Sequence, residues 1–152
     1  MKVIENVHDT AWTDELGGKF ENLKLKIKAR LKPDQEKLAK KVFTPLTNTE
    51  KGKIQMAFDP IKWNAIYSEE TLGLVTDWEN LISQATGKPI PFSKENAIKF
   101  LWVRADWETG HDVELSERDE DGKKTGETKI RKATLFEYIN KFSTDITNYE
   151  KN

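Results

Sequence analysis

The clearest pattern of apolar and polar positions lies in residues 23–31. Leu23, Leu25, Ile27, Ala29 and Leu31 alternate there with Lys24, Lys26, Lys28 and Arg30. A period of two places the two sets on opposite faces of a strand, one for a core and one for water. Gly17-Gly18 breaks the chain just before it, so a partner strand is expected from Lys2–Val7 or from Ala11–Leu16. Downstream the period lengthens. Pro33 suits a first helical turn, Asp34 and Glu36 suit its positive end, and Leu38 and Val42 recur four apart. This predicts a short helix over 33–43 that stops before Pro45. Asp59-Pro60 joins a capping residue to proline at the first helical position and predicts a second helix over 59–67, with Ile61 and Ala65 inward.

Two segments stay open on pattern alone. Lys53–Phe58 alternates as a strand does but is too short to decide, and Thr71–Ile82, centred on Trp78, fits a helical turn or a buried extended piece. The next signals are firmer. Pro89 and Pro91 hold the connector 87–93 extended, Ser93 caps the segment after it, and Phe92 can pack back on the first turn. Ala97, Ile98, Leu101, Trp102 and Ala105 then make the inner stripe of a helix over 94–105. Residues 112–132 read as a polar β-hairpin turning at Asp119-Glu120-Asp121-Gly122, poor enough in apolar residues to project as an arm. Thr134 and Glu137 form a capping box, and Leu135, Tyr138, Ile139, Phe142, Ile146 and Tyr149 stripe a last helix over 134–149. The pattern predicts one α+β domain over 1–152: a small antiparallel sheet containing 23–31, packed by about four helices, with the hairpin 112–132 as an arm.

Composition narrows the function classes. The chain has 152 residues, 25 basic and 26 acidic, a formal net charge of -1 and no cysteine. Absence of cysteine excludes a disulfide framework, a thiolate zinc site and a thiol nucleophile, and makes the cytoplasm the default compartment. No apolar run approaches the ~20 residues that span a bilayer, and the N-terminus lacks the apolar stretch of a signal peptide. The charge is unevenly spread: residues 19–53 carry eleven Lys/Arg against four Asp/Glu, and 104–128 carry four against nine. A basic front and an acidic rear fit partner or self-association surfaces, including a homo-oligomer, better than a groove for DNA.

Candidate chemistry is sparse. Aligning Gly122 with the glycine of a calcium loop puts Glu117, Asp119 and Asp121 at ligand positions, but the bidentate Glu expected six residues later is Thr128. Asp106, Glu108, His111 and Asp112 could hold a metal if they converged; a helix-to-strand junction with ordinary surface charge is the favoured account. Gly122–Gly126 lacks the spacing of a phosphate loop, and His8 stands alone in a polar segment. No catalytic set, cofactor site or metal site emerges, so a non-enzymatic role is expected. The basic face Lys24, Lys26, Lys28, Arg30 and Lys32 would repeat about every 7 Å, close to successive phosphates, but without interleaved aromatics. Nucleic acid is therefore a minor alternative, as is a small host-inhibiting protein using residues 24–32.

One stretch points elsewhere. Leu74-Val75-Thr76-Asp77-Trp78-Glu79-Asn80-Leu81, a spacer, and Gly87-Lys88-Pro89-Ile90-Pro91-Phe92-Ser93-Lys94-Glu95-Asn96 resemble a pattern in tail assembly chaperone-like proteins of long-tailed bacteriophages and prophages. The likeness covers about 74–101, with support from the strand and following segment at 23–43. It implies a non-catalytic assembly factor of the host cytoplasm that binds the helical tape-measure protein and helps recruit tail-tube subunits. Under that resemblance Trp63, Trp78, Phe92, Trp102 and Trp107 are candidates for the floor of a partner groove, although plain core packing is the other account of all five and the favoured one for Trp78 and Phe92. The segment after Trp107 has no counterpart in the pattern; separately, the polar hairpin arm and the charge asymmetry make a structural virion protein of the tail or connector the alternative.

Overall fold

In the computed structural model, the described residues are 1–2, 6–30, 43–48, 53–58 and 60–150. Strand β1 (Thr10–Trp12) is followed by a 3-10 turn at Gly18–Phe20 and by β2 (Lys24–Lys28). Next come β3 (Phe43–Asn48), β4 (Lys53–Phe58), α1 (Pro60–Leu72) and β5 (Val75–Glu79). Helix α2 (Lys94–Asn96) loosens into a π-turn over Ala97–Leu101 and tightens to 3-10 over Trp102–Arg104. Strands β6 (Glu108–Arg118) and β7 (Lys124–Thr134), helix α3 (Leu135–Thr144) and a 3-10 turn at Ile146–Tyr149 complete the order.

The alternation at 23–31 works as expected over its first half. Leu25 and Ile27 are fully buried and Leu23 nearly so, whereas Lys24 and Lys26 are half-buried and Lys28 is exposed. β2 is the central strand of an antiparallel sheet ordered β1-β2-β5, so both of its backbone edges are paired. Of the two places considered for the partner strand, β1 begins just ahead of the second, pairing Ala11 with Ile27 and Trp12 with Lys26. On the other side Leu25 faces Trp78 and Ile27 faces Val75. Apolar residues from distant segments close over this face: Leu16, Phe20, Leu72, Ala97, Leu101, Leu135 and Ile139 are all buried with it. Non-directional burial of this shared face is what holds the unit together.

The architecture corrects the expected one. It is α+β, but three α-helices, not about four, are found among the described residues, and the strands fall into a three-stranded sheet and two separate two-stranded ribbons. The helix expected over 33–43 lies mostly outside the described residues, and Phe43, its last residue, begins β3. That strand runs through Pro45, where a helix stop was expected. Lys53–Phe58 is its partner, pairing Phe43 with Phe58 and Pro45 with Met56. Proline is tolerated because a two-stranded ribbon has an open edge that needs no donor. α1 continues past Tyr67 to Leu72, and Gly73 ends it with its N–H on the Glu69 carbonyl at 2.9 Å. The ambiguous stretch at 71–82 resolves into the end of α1, strand β5 and a turn carried by Asn80 at positive φ.

Two inner stripes are shorter than their sequence patterns. In segment 94–104, Ala97 and Leu101 are buried but Ile98 is 46% exposed, so the stripe is narrower than the pattern predicts. The last helix ends at Thr144 instead of 149: Ile146 is exposed, while Tyr149 is buried on the following 3-10 turn. The capping box is present, with Thr134 Oγ1 accepting from Glu137 N–H and Glu137 Oε1 accepting from Thr134 N–H. No helix among the described residues is long and apolar enough to cross a membrane.

Candidate functional site

A groove of about 810 Å³ lies between the end of α1, the start of β5 and segment 94–104. Leu72, Val75 and Ala97, all buried core residues, form its base, and Ile66, Leu74, Phe92 and Trp102 are the half-buried apolar wall. Lys28, Glu69, Glu70 and Lys94 stand on its rim. The groove exists because α1 stops at Gly73 and the chain turns directly into β5, which leaves a gap on the side that segment 94–104 only partly fills.

The sequence-predicted aromatics separate into three kinds. Trp78 belongs to the core at 6% exposure: its indole N–H donates to the Ile90 carbonyl at 2.7 Å and its ring meets Phe92 edge-on at 4.9 Å. Phe92 and Trp102 line the groove, and Trp102 Nε1 is buried without a hydrogen-bond partner. Trp107 is 39% exposed and lies away from the groove, flanked by Arg104 at 4.9 Å, Lys19 at 5.5 Å and the Phe20 ring. Trp63 sits near the start of α1, and its side chain lies outside what the structure describes.

The motif at 74–101 acquires a local physical account. Trp78 and Phe92 hold each other, and Ile90 N–H returns to the Leu81 carbonyl. Ser93 Oγ accepts from Asn96 N–H at 3.0 Å, and Asn96 Nδ2 donates back to the Pro91 carbonyl at 2.9 Å. Tryptophan, the prolines, serine and asparagine thus lock one turn against the sheet and set the orientation of segment 94–104, which is one wall of the groove.

The basic face is reduced. Lys24 faces Glu79 and Lys26 faces Asp77 across the β2–β5 ladder, so acids interleave with the lysines. An exposed aromatic that the sequence reading missed, Trp12, lies opposite Lys26 on β1; only the pairing register reveals it. Arg30 does not share this face. It is 6% exposed, with Nη1 donating to Asn140 Oδ1 at 3.0 Å, Nη2 to Thr71 Oγ1 at 2.7 Å, and its guanidinium over the Tyr67 ring at 4.8 Å. Tyr67 OH also donates to Asn140 Oδ1. Arginine here joins β2, α1 and α3, a role that begins where the strand ends at Lys28 and its phase no longer applies. Lys32 lies outside the described residues.

The acidic and histidine cluster is dispersed. His111 Nε2 is 2.9 Å from the Glu15 carbonyl and its ring lies 4.7 Å from Tyr138, whereas Asp112 pairs with Lys132 at 2.8 Å. No group of three or more metal-ligating side chains converges among the described residues. At 117–123 the acids serve the turn: Asp119 Oδ1 accepts from Asp121 and Lys123 N–H, and Arg118 donates to the Gly122 carbonyl. The strongly shifted carboxyl is Glu137, lowered to about 2 chiefly by its bidentate bond to Arg131, both contacts being 2.6 Å. Burial raises the Tyr149 phenol, whose hydroxyl has no hydrogen-bond partner. Comparison of the chain with protein-family models, curated proteins and solved structures gives no match.

Proposed function

We propose that this chain is a non-catalytic assembly factor that cradles an amphipathic helical segment of a partner in the groove between α1, β5 and segment 94–104. The observation that carries the reading is the groove itself: an apolar floor of Leu72, Val75 and Ala97 within a rim of both charge signs. Such a surface suits a helix that presents an apolar stripe flanked by polar residues. Combined with the resemblance at 74–101, it supports a tail assembly chaperone of the host cytoplasm. Its partner would be the tape-measure protein, covered to prevent aggregation, with recruitment of tail-tube subunits as the consequence.

Co-expression with the cognate tape-measure protein tests this. The expected result is a soluble, co-eluting complex that Leu74→Glu weakens by about tenfold or more, since a charge on the groove wall must be desolvated on docking. Loss of neither solubility nor complex on that substitution, in a protein that still folds, counts against the groove; no complex at all counts against the chaperone. A structural virion protein is the second reading, favoured by the exposed hairpin. Mass spectrometry of purified particles against the cytosolic fraction separates the two, because a chaperone is absent from particles and a virion protein is retained.

A further inference from the structure

The β6–β7 ribbon carries an inference independent of the groove. Its two strands are eleven residues each, and from Glu114 through Lys132 every residue is exposed. Both are edge strands: among the described residues the ribbon has two strands and no third. Beyond its base it covers no core, and a lone two-stranded ribbon is at best marginally stable in water. Its outer edges offer unpaired N–H and C=O groups along most of their length, the usual template for pairing with another strand. Among the described residues, the foot of β6 is engaged through Gly110 N–H on the Leu16 carbonyl and His111 on Glu15, and at the foot of β7 the Lys132 carbonyl accepts from Arg131 Nη1.

Charge identifies what covers those edges. β6 carries Glu108, Asp112, Glu114 and Glu117 against Arg118, a net of -3. β7 carries Lys124, Lys129, Arg131 and Lys132 against Glu127, a net of +3. We propose that copies of this chain associate head to tail through their hairpins, the acidic β6 edge of one copy pairing with the basic β7 edge of the next. A two-fold dimer would instead place like edges together, acid on acid or base on base, which directly opposed strands disfavour. The heterologous contact satisfies both edges at once and extends the ribbon into a continuous antiparallel sheet, closing as a ring or growing as a short array. Exposed Leu115 and Ile130 then gain neighbours across the new ladder.

Sedimentation velocity on the full chain tests the proposal. At about 10 mM salt the average mass should rise above the 17.6 kDa monomer as concentration approaches about 100 µM, and fall back toward it at about 0.5 M salt. Lys124→Glu with Lys129→Glu makes both strands acidic; Glu114→Lys with Glu117→Lys makes both basic. Neither pair touches the Arg131–Glu137 or Asp112–Lys132 contacts. Each double variant should self-associate at least about tenfold more weakly, and an equimolar mixture of the two should recover association, because each then offers the edge the other lacks. The fourfold charge swap in one chain should also recover it, which separates lost complementarity from a damaged hairpin. A wild-type chain that stays monomeric throughout, double variants that associate normally, or a mixture and a swap that both remain monomeric would each overturn the proposal.

Discussion

β2 and the β6–β7 ribbon are both strands written in alternation, and they end in opposite environments. In β2 every second residue is apolar, and residues 16–20, α1, segment 94–104 and α3 converge on that side, so Leu25 and Ile27 lose all contact with solvent. In the ribbon the alternate positions are mostly charged or hydroxylated, and only Thr109 and Ala133, both at its foot, are buried. Period two therefore decides that a segment is extended. Burial is decided by what the rest of the chain can bring to one of its faces.

The largest expected effect sharpens that contrast. Leu25→Ala removes a fully buried side chain between Trp78 and the helices and should cost about 2–5 kcal/mol, read from urea unfolding. Leu115→Ala on the ribbon should stay within about 0.5 kcal/mol. Equal costs at the two sites would mean that the ribbon is buried in solution, as association of copies would make it, so the pair is best compared at low protein concentration.

Where the regions meet, backbone proximity replaces side-chain packing. Gly18 has φ +57, and a Cβ there would lie 2.7 Å from the Thr109 carbonyl carbon and 2.8 Å from the Glu108 carbonyl oxygen. Gly18→Ala should therefore cost about 2–4 kcal/mol, combining left-handed strain with displacement of the hairpin foot. Gly122→Ala at the hairpin tip meets nothing within 4 Å at φ +78, so strain alone, about 1–2 kcal/mol, should result. Hydrogen exchange at Thr109–His111 should accelerate in the first variant and not in the second.

Arg30 gives the next effect. Replacing it with Ala removes the donor to Thr71 Oγ1 inside the fold, leaves Asn140 Oδ1 with Tyr67 OH alone of the two donors it has now, and should cost about 1–3 kcal/mol by thermal or urea unfolding. Arg30→Lys should recover only part of this, since an ammonium cannot reproduce the forked contact to α1 and α3 together with the stack on Tyr67. A Lys variant as stable as the parent would show that charge, not geometry, is what the site requires.

The features legible in the sequence are those whose physics closes within a few residues. The phase of β2, the cap at Ser93, the capping box at Thr134 and the Asp119–Gly122 turn all need only near neighbours, and all are present. The features that sequence reading missed depend on distant partners. Arg30 looked like one more surface cation until α1 and α3 supplied Thr71, Tyr67 and Asn140. Pro45 looked like a stop because nothing local marks an open ribbon edge. Ile98 fitted a regular helical stripe, but among the described residues no partner segment covers it and it faces solvent beside buried Ala97. The groove was legible only in part: Phe92 and Trp102 were named for it, but its base of Leu72, Val75 and Ala97 reads in sequence as ordinary core. Trp78, named beside them, is core.

The smallest effect lies at the ion pair between ribbon and helix, where Arg131 of β7 holds Glu137 of α3. The Glu137 carboxyl is lowered from its ordinary 4.5 to about 2, first by the Arg131 bond, then by the Thr134 contacts, against an opposing contribution from burial. Because the folded value is the lower one, the unfolded chain binds the extra proton. The carboxylate's stabilisation is therefore complete above about pH 4.5 and is lost as the pH falls through about 2. Glu137→Gln should be less stable than the parent at neutral pH, and the gap between them should close across that window in urea titrations. Thr134→Ala provides the control: it removes the hydroxyl half of the capping box, about 1 kcal/mol, but retains the Arg131 bond, so its deficit should persist far further into acid. A Glu137→Gln deficit that stayed constant to pH about 2 would mean that the ribbon is fastened to the helix by shape and capping, with the charge of the pair contributing nothing to the joint.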